Sequence, residues 1–559
     1  MSPLSDDAHA PSTGSRRRRT LTEALLDVVA ARFLKLPKAA HRYTRIRDVE
    51  IPMRDGVRLR ADVLIPSGRS KGTLLSRTPY GWGGLSAPLL AAPFARQGYT
   101  VVMARCRGTF GSGGVFQPFV NERDDGADTV AWLRTQPWFT GSFATFGGSY
   151  AACTQWAILA ESPPELATAV ITTTCLDFRR AVYRGGAFTL DTWFTWSERI
   201  VRQEKVGPWR GMLADRRAAR AAPAQKRELP LAHAAERAFT GPAPWYREWV
   251  STRDLSDPVW DDLDFSDALE QVTVPLLVEV GWQDIFLDQG IEQVVALQQR
   301  GVEVAMTAGP WTHTGVISDG GSTVINEALE WFDAHLAGRP SARRAPVRAF
   351  VNGSDEWLDL ASWPPAAEEL SLYPTASGAL ERRAASAGAT RRFTYDPADP
   401  TPTVGGPIMT PGGGYVDDTA LAGRSDVLSF TSAPLNEAVR VLGAPRVELA
   451  QSTDNPMVDV FVRLSIVGKG GRSRNVSEGF VRLDDATADG HVTIELDPTG
   501  QEFGVGERIR LVIAGGSFPR WERNLGTGED PATSGRMVSS ERTVALAQTR
   551  LVLPIHAGG

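Results

Sequence analysis

The residue in this chain whose setting best suits chemistry is a serine between small residues, where an apolar run meets a helical pattern. The segment reads Phe143-Ala144-Thr145-Phe146-Gly147-Gly148-Ser149-Tyr150-Ala151-Ala152, and the helical pattern continues through Leu159. A sharp turn from strand to helix would hold Ser149 in a strained backbone conformation with its hydroxyl exposed at the sheet edge. Such a turn needs small residues two before and two after the serine, because strand and helix approach closely there. Gly147 meets the first need, and Ala151, where glycine is more usual, meets the second. The N-terminus of the new helix adds a dipole that favours a developing oxyanion. Gly320-Gly321-Ser322 and Gly515-Gly516-Ser517 share the start of the pattern. Their second small position is taken by Val324 and Pro519, and neither is expected to open a helix.

A serine alcohol becomes a nucleophile only when a base takes its proton. The chain has seven histidines, His9, His41, His233, His313, His335, His491 and His556. His313 directly follows an apolar run at Val302-Glu303-Val304-Ala305-Met306, in Ala308-Gly309-Pro310-Trp311-Thr312-His313. That is where a base belongs in a sheet whose active groups sit at the carboxyl ends of strands. His335 falls inside a helical pattern with charged neighbours, where a surface or packing role is expected. The orienting acid should lie between serine and histidine. Asp284 follows the run Val274–Val280 in Gly281-Trp282-Gln283-Asp284, and Asp288, the alternative, should sit on the next helix. The order Ser149, Asp284, His313 is that of an α/β-hydrolase. An oxyanion hole would take one donor from the backbone N–H of Tyr150. The second should come from the loop Arg77-Thr78-Pro79-Tyr80-Gly81, where the Tyr80 hydroxyl is either a donor or a packing group.

These residues need a scaffold, and the composition supplies an ordinary globular one. The chain has 559 residues, 42% of them hydrophobic and 22% charged, which excludes a mainly disordered or fibrous protein. A net charge of -5 from 60 basic and 65 acidic residues gives no reason to expect nucleic acid or a membrane surface as partner. Cys106, Cys153 and Cys175 lack metal-ligand or disulfide spacing, so no metal or oxidising compartment is implied, and a cytoplasmic location is expected. Residues 1–19 read as a disordered tail ending in the basic run Arg16–Arg19. Asp27 and Arg32 break the apolar stretch behind that run, so an export signal is not expected. Leu25, Val28, Val29 and Phe33 instead fit one face of a short amphipathic helix docked on the surface. Strand and helix patterns alternate over 20–177 and again over 269–345, the two parts of a largely parallel α/β core. Residues 178–268 read as an inserted helical cap, and 346–559 as a C-terminal β jelly roll. Residues 376–390 are expected to form a loop.

Several motifs together resemble the cocaine esterase-like hydrolases, the family joined with X-Pro dipeptidyl-peptidases and α-amino acid ester hydrolases. They are Arg77-Thr78-Pro79-Tyr80, Arg105-Cys106-Arg107-Gly108, Phe146-Gly147-Gly148-Ser149-Tyr150, Gly281-Trp282-Gln283-Asp284 and Gly309-Pro310-Trp311-Thr312-His313. The β-rich part adds Tyr395-Asp396-Pro397-Ala398-Asp399-Pro400 and Ser517-Phe518-Pro519-Arg520-Trp521-Glu522-Arg523-Asn524. The resemblance spans about residues 45–555 and implies the same three-part architecture. It implies that Tyr80 is an oxyanion-hole donor and that Trp196 and Phe286 line an acyl pocket. Members often show Asp before Arg-Gly where this chain has Cys106, so that loop should differ locally. The resulting expectation is a serine hydrolase of small-molecule ester or amide substrates working through an acyl-enzyme, without metal or organic cofactor. Two readings stand beside it, an X-Pro dipeptidyl-peptidase or α-amino acid ester hydrolase, and a non-catalytic carbohydrate- or partner-binding protein. Self-association as a homo-oligomer is left open.

Overall fold

The computed structural model describes residues 15–17, 21–81, 89–205, 208–455, 457–484 and 489–556. The chain divides into two units. One comprises Met1–Val170, Gln271–Val274 and Ile325–Ser341, the other Ile171–Glu270, Pro275–Val324 and Ala342–Gly559.

In the first unit seven strands lie in one sheet: β1 (Ser15–Arg17), β2 (Tyr43–Pro52), β3 (Arg58–Pro66), β4 (Thr73–Thr78), β5 (Thr100–Arg105), β6 (Phe143–Gly148) and β7 (Leu166–Thr172), in the order β1-β2-β3-β5-β4-β6-β7. β4 is parallel to β5 and β6 and buried along its whole length, as a central parallel strand with both faces covered must be. β1, β2 and β3 form an antiparallel margin. β2 lies outside the strands expected from sequence, because Arg45, Arg47 and Asp48 hide its apolar alternation. Of the expected 1–19 tail, Ser15–Arg17 pairs with Arg45–Arg47, and the rest lies outside the described residues.

The N-terminal helix forms over Leu21–Phe33, but it docks by a different face from the one expected. Leu25, Val28, Val29 and Phe33 are exposed, while Asp27, Ala30 and Leu34 are buried. The polar residue decides the orientation. Tyr43 donates to the Asp27 carboxylate at 2.6 Å and Arg96 donates to the Asp27 carbonyl at 2.7 Å. Both bonds would be lost if the apolar stripe turned inward and took Asp27 into solvent.

The second unit holds the remaining α/β strands, the helical insertion and the C-terminal β structure. The insertion opens with a short helix, Phe178–Val182, and a hairpin, β8 (Tyr183–Arg184) with β9 (Ala187–Phe188). The helices Leu190–Arg202, Pro208–Arg227, Leu231–Ala238 and Pro244–Ser251 follow. Next come β10 (Leu276–Gln283), β11 (Val304–Thr312), β12 (Val347–Val351) and β13 (Glu356–Leu360). β10, β11 and β12 are parallel and β13 is antiparallel.

Beyond Glu368 the chain is almost wholly antiparallel. Val458–Val467 pairs with Ser473–Leu483 and with Arg508–Ala514, and Arg446–Thr453 pairs with Gly490–Glu495, Ser540–Ala545 and Arg550–Ile555. Val447, Leu449, Val460, Val462, Leu464, Leu511, Ile513, Leu551 and Leu553 meet in its core. The expected loop at 376–390 contains a strand, Ala379–Glu381, which pairs with Glu368–Pro374 and Val427–Ser432.

Val458–Val467 alternates apolar with polar residues, a pattern that usually puts the polar face in water. Here both faces are buried. Asp459 binds Arg482, and Arg463 pairs with Asp418 and Glu478. The same charged layer receives the helical insertion, where Arg253 and Arg482 both grip Glu522 and Arg184 pairs with Asp288 and Asp497.

Candidate active site

The first unit carries the serine. β6 ends at Gly148, the helix Tyr150–Glu161 begins one residue after Ser149, and Ser149 itself has φ 60° and ψ -127°. A side chain rarely adopts that backbone conformation, and it persists only where the surroundings over-determine it. Close packing does so here. A β-carbon placed on Gly147 would lie 2.8 Å from the Ala151 β-carbon, so alanine is tolerated at 151 only because 147 is glycine. The two decoys lack this geometry. The helix that holds His335 opens at Gly321, earlier than the expected start near Ile325, but a short helix, Gly315–Ser318, precedes it in place of a strand. Ser517 follows the strand Arg508–Ala514 and leads into a turn at 519–520.

A buried ionic cluster braces this turn, and sequence reasoning missed it. The Tyr150 hydroxyl donates to Glu122 at 2.8 Å and accepts from the Phe119 N–H at 2.8 Å. Arg77, at the end of β4, donates to the other Glu122 oxygen at 2.7 Å and to the Glu122 carbonyl at 2.9 Å. Thr154, on the helix after the serine, donates to the Arg77 carbonyl at 3.0 Å. Burial pushes the Glu122 carboxyl above its usual range against the pull of Arg77, and pushes the Cys106 thiol well up. Cys106 is therefore an inert neighbour of this cluster. The signal available in sequence was the arginine of Arg77-Thr78-Pro79-Tyr80, a charge at the end of the short run Thr73-Leu74-Leu75-Ser76. Tyr80 is half-buried just past β4, with its N–H on the Thr78 hydroxyl at 3.3 Å.

The second unit carries the acid and the base. β10 and β11 run in register through Gly281 opposite Gly309, then a bulge brings Gln283 opposite Thr312. The next residues, Asp284 and His313, therefore emerge side by side at the carboxyl ends of two parallel strands. The His313 Nδ1 lies 2.8 Å from the Asp284 carboxylate, which also accepts from the Phe286 N–H at 3.2 Å. The Asp284 side chain is fully buried and His313 nearly so. The other carboxylate oxygen receives no hydrogen bond among the described residues. Asp288 lies on the helix Leu287–Gln299 and faces Arg184 at 3.1 Å, so it is engaged away from the histidine. His335 packs tilted against Trp331, with ring centroids 4.1 Å apart, and His9 lies outside the described residues.

Aromatic rings surround the dyad. Phe286 meets the His313 ring edge-on at 5.3 Å, and Trp193 lies 6.2 Å from Phe286. Trp196 stands one ring further out, 5.9 Å from Trp193 and 6.0 Å from Trp249. Trp193, on the same helix as Trp196, is thus the ring that bridges to Phe286, a role sequence reasoning did not give it. Among the described residues no group of three or more His, Cys, Asp or Glu could hold a metal ion, and no helix is long and apolar enough to cross a membrane.

Two family models match this chain. X-Pro dipeptidyl-peptidase (S15 family) matches residues 55–315, and the X-Pro dipeptidyl-peptidase C-terminal non-catalytic domain matches residues 341–551. A cocaine esterase from Rhodococcus sp. (strain MB1 Bresler) is 29% identical over 545 residues, covering 87% of this chain and 93% of the relative. Among solved structures, an α-amino acid ester hydrolase superposes with a TM-score of 0.79 at 22% identity, covering 93% of this chain and 98% of the other. An aminopeptidase from a marine sediment Thaumarchaeota archaeon does so with a TM-score of 0.78 at 23% identity, with the same coverage. At these identities the structural likeness establishes the fold, an α/β-hydrolase core with a helical cap and a C-terminal jelly roll.

Proposed function

The chain belongs to the X-Pro dipeptidyl-peptidase (S15) family and is a serine hydrolase, and from that premise we propose that it cleaves carboxylic esters through Ser149, His313 and Asp284. His313 Nε2 takes the Ser149 proton as the serine oxygen attacks the acyl carbon. The Nδ1–H of His313 is held by Asp284, which fixes the tautomer and stabilises the imidazolium that forms. The Tyr150 N–H and the Tyr80 hydroxyl stabilise the tetrahedral oxyanion. Collapse of this intermediate breaks the bond to the alcohol, which leaves with the proton from His313. Water, deprotonated by the same imidazole, then attacks the acyl-serine ester and releases the acid.

The observation that carries this reading is the 2.8 Å contact between His313 and Asp284 at the ends of two parallel strands. The strained turn at Ser149 supports it from the other unit. Phe286 and Trp196 are proposed as acyl-pocket residues, with Phe286 nearer the base. An ester is favoured over a substrate anchored by a free amine. Four acids of the helical insertion are engaged or solvated: Glu198 pairs with Arg202 at 2.7 Å, Asp254 and Asp257 cap turns, and Asp261 is exposed.

The test is active-site labelling with a fluorophosphonate, followed by a substrate panel. Label should reach wild type at Ser149 and not Ser149→Ala, and acyl esters should turn over faster than X-Pro amides. Label on another residue would overturn the nucleophile, and faster amide turnover would overturn the ester preference.

A further inference from the structure

The strand ends that carry Asp284 and His313 rest on polar groups of the C-terminal β structure. Gln283, the residue before the acid, is 3% exposed, and its amide donates to the Val476 carbonyl at 2.8 Å. Asn475, fully buried, approaches the Gln283 amide oxygen with its own Nδ2 at 3.4 Å. The same Nδ2 donates to the Gly414 carbonyl at 3.0 Å, and Oδ1 accepts from the Val416 N–H at 2.7 Å. Asn475 thus clamps both sides of residue 415 in the segment that follows a tight loop, closed where Gly406 and Gly414 exchange backbone bonds at 2.9 and 2.8 Å.

That loop bears on the histidine side. A β-carbon on Gly414 would lie 2.9 Å from the methyl of Thr312, the residue before His313. Its far end is fixed as well. Asp191 accepts from the N–H groups of Met409 and Thr410 at 2.8 and 3.2 Å and is neutralised by Lys226 at 2.6 Å. Asp191 lies in the first turn of the helix that carries Trp193. One buried amide therefore addresses the residues preceding both members of the dyad, 283 directly and 312 through Gly414.

We propose that Asn475 is a positioning residue: it sets the separation of Asp284 and His313 by holding Gln283 and the loop ending at Gly414. It touches neither substrate nor reacting atoms. An asparagine suits the task because one planar group offers a donor and an acceptor in fixed relation, and it carries no charge that would compete with Asp284 for the imidazole. This inference rests on the dyad reading above.

The experiment compares Asn475→Ala and Asn475→Asp with wild type in kcat, KM, melting temperature and the downfield NMR signal of the His313 Nδ1 proton. Asn475→Asp keeps the acceptor for Val416 and turns an oxygen on the Gly414 carbonyl. Both variants should lose kcat by about 10–100-fold with KM within about twofold, because the base is misplaced while the substrate site is intact. The Nδ1 proton signal should broaden or move upfield. Thr401→Val, which removes a buried 2.6 Å bond to Asp426 elsewhere in the same β structure, should lower the melting temperature and leave kcat and the proton signal unchanged. A folded Asn475 variant with kcat within about twofold of wild type and an unaltered proton signal overturns the proposal. If Asn475→Ala does not fold, Gln283→Met gives the reading. It should lower kcat with KM preserved, and an unchanged kcat overturns the proposal equally. Fluorophosphonate labelling of Ser149 separates the two claims, since wild type that labels elsewhere fails the triad itself, whereas normal labelling with an unaffected Asn475→Ala fails only the brace.

Discussion

The serine turn and the Asp284–His313 strand ends are both held from beneath by buried polar groups, but of opposite kinds. Under the serine the brace is ionic, with Arg77 and Glu122 paired at 2.7 Å and nearly inaccessible. Under the dyad it is neutral, built from the amides of Gln283 and Asn475. A charged brace holds firmly but punishes the loss of one partner, since the survivor stays buried and uncompensated. A neutral one costs less to disturb and adds no field at a site whose working parts are a carboxylate and an imidazole. The two buried glutamates extend the lesson. Glu122 faces one guanidinium, and burial pushes its carboxyl up. Glu522 is as deeply buried, yet the guanidinium groups of Arg253 and Arg482 outweigh burial and hold it below the usual range.

The largest expected effect tests whether the two regions serve one reaction. Ser149→Ala and His313→Ala should each lower kcat by at least about 10⁴-fold, and the double variant should be no worse than either, because the groups act as a unit. Additive losses in an ester assay would break the pairing of the two regions. Asp284→Asn should cost a similar ~10⁴-fold through the wrong tautomer, whereas Asp288→Asn should leave most activity, its partner being Arg184. Next, Glu122→Met should destabilise by about 3–5 kcal/mol in urea unfolding, and adding Arg77→Met should restore part of that loss. No restoration by the double change would mean that the brace is not chiefly ionic.

Tyr80→Phe should lower kcat by about 10²–10³-fold with little change in KM if its hydroxyl serves the oxyanion. Retention of more than about half of kcat, with chemistry limiting, would transfer that role to a backbone N–H. In the aromatic group, Phe286→Ala should slow bulky acyl esters more than Trp196→Ala does, because Phe286 meets the His313 ring edge-on while Trp196 packs against Trp193 and Trp249. Equal effects on bulky and acetyl esters would make both residues packing groups.

The smallest effect is a pH slope, which sharpens the contrast between the glutamates. A depressed carboxyl such as Glu522 contributes stability above the unfolded value of about 4.3, lost as pH falls through the lower folded value, at up to ~1.4 kcal/mol per pH unit. The raised Glu122 has the opposite sign, a contribution present below about 4.3 and lost as pH rises through its folded value. Between about pH 3 and 7, unfolding curves should therefore lose part of their rise with pH below about 4.3 in Glu522→Gln and lose a decline with pH above about 4.3 in Glu122→Gln. Parallel curves for wild type and both variants would remove the distinction.

Much of the candidate site was legible in the sequence because it is written locally. A small residue, a serine, a small residue and a helix after a strand leave one backbone solution, so Ser149 could be read from ten residues. Asp284 and His313 could be read because each directly follows an apolar strand, and parallel strands end on the same edge. The three-part architecture followed from the change of periodicity along the chain. What the tertiary structure alone decided was the fate of charges and the choice between faces. Arg463 and Asp459 look like the wet side of a strand and prove buried, because ion partners reach them from Glu478, Asp418 and Arg482, residues no local pattern links to them. The N-terminal helix turned its apolar stripe outward because Asp27 found Tyr43 and Arg96 beneath it. Asn475 sits 191 positions after Asp284 in the numbering, and only the folded chain sets it beside Gln283. Periodicity reports how a segment could bury itself, whereas the partner that makes burial of a polar group affordable is set by distant chain, and that information is not local.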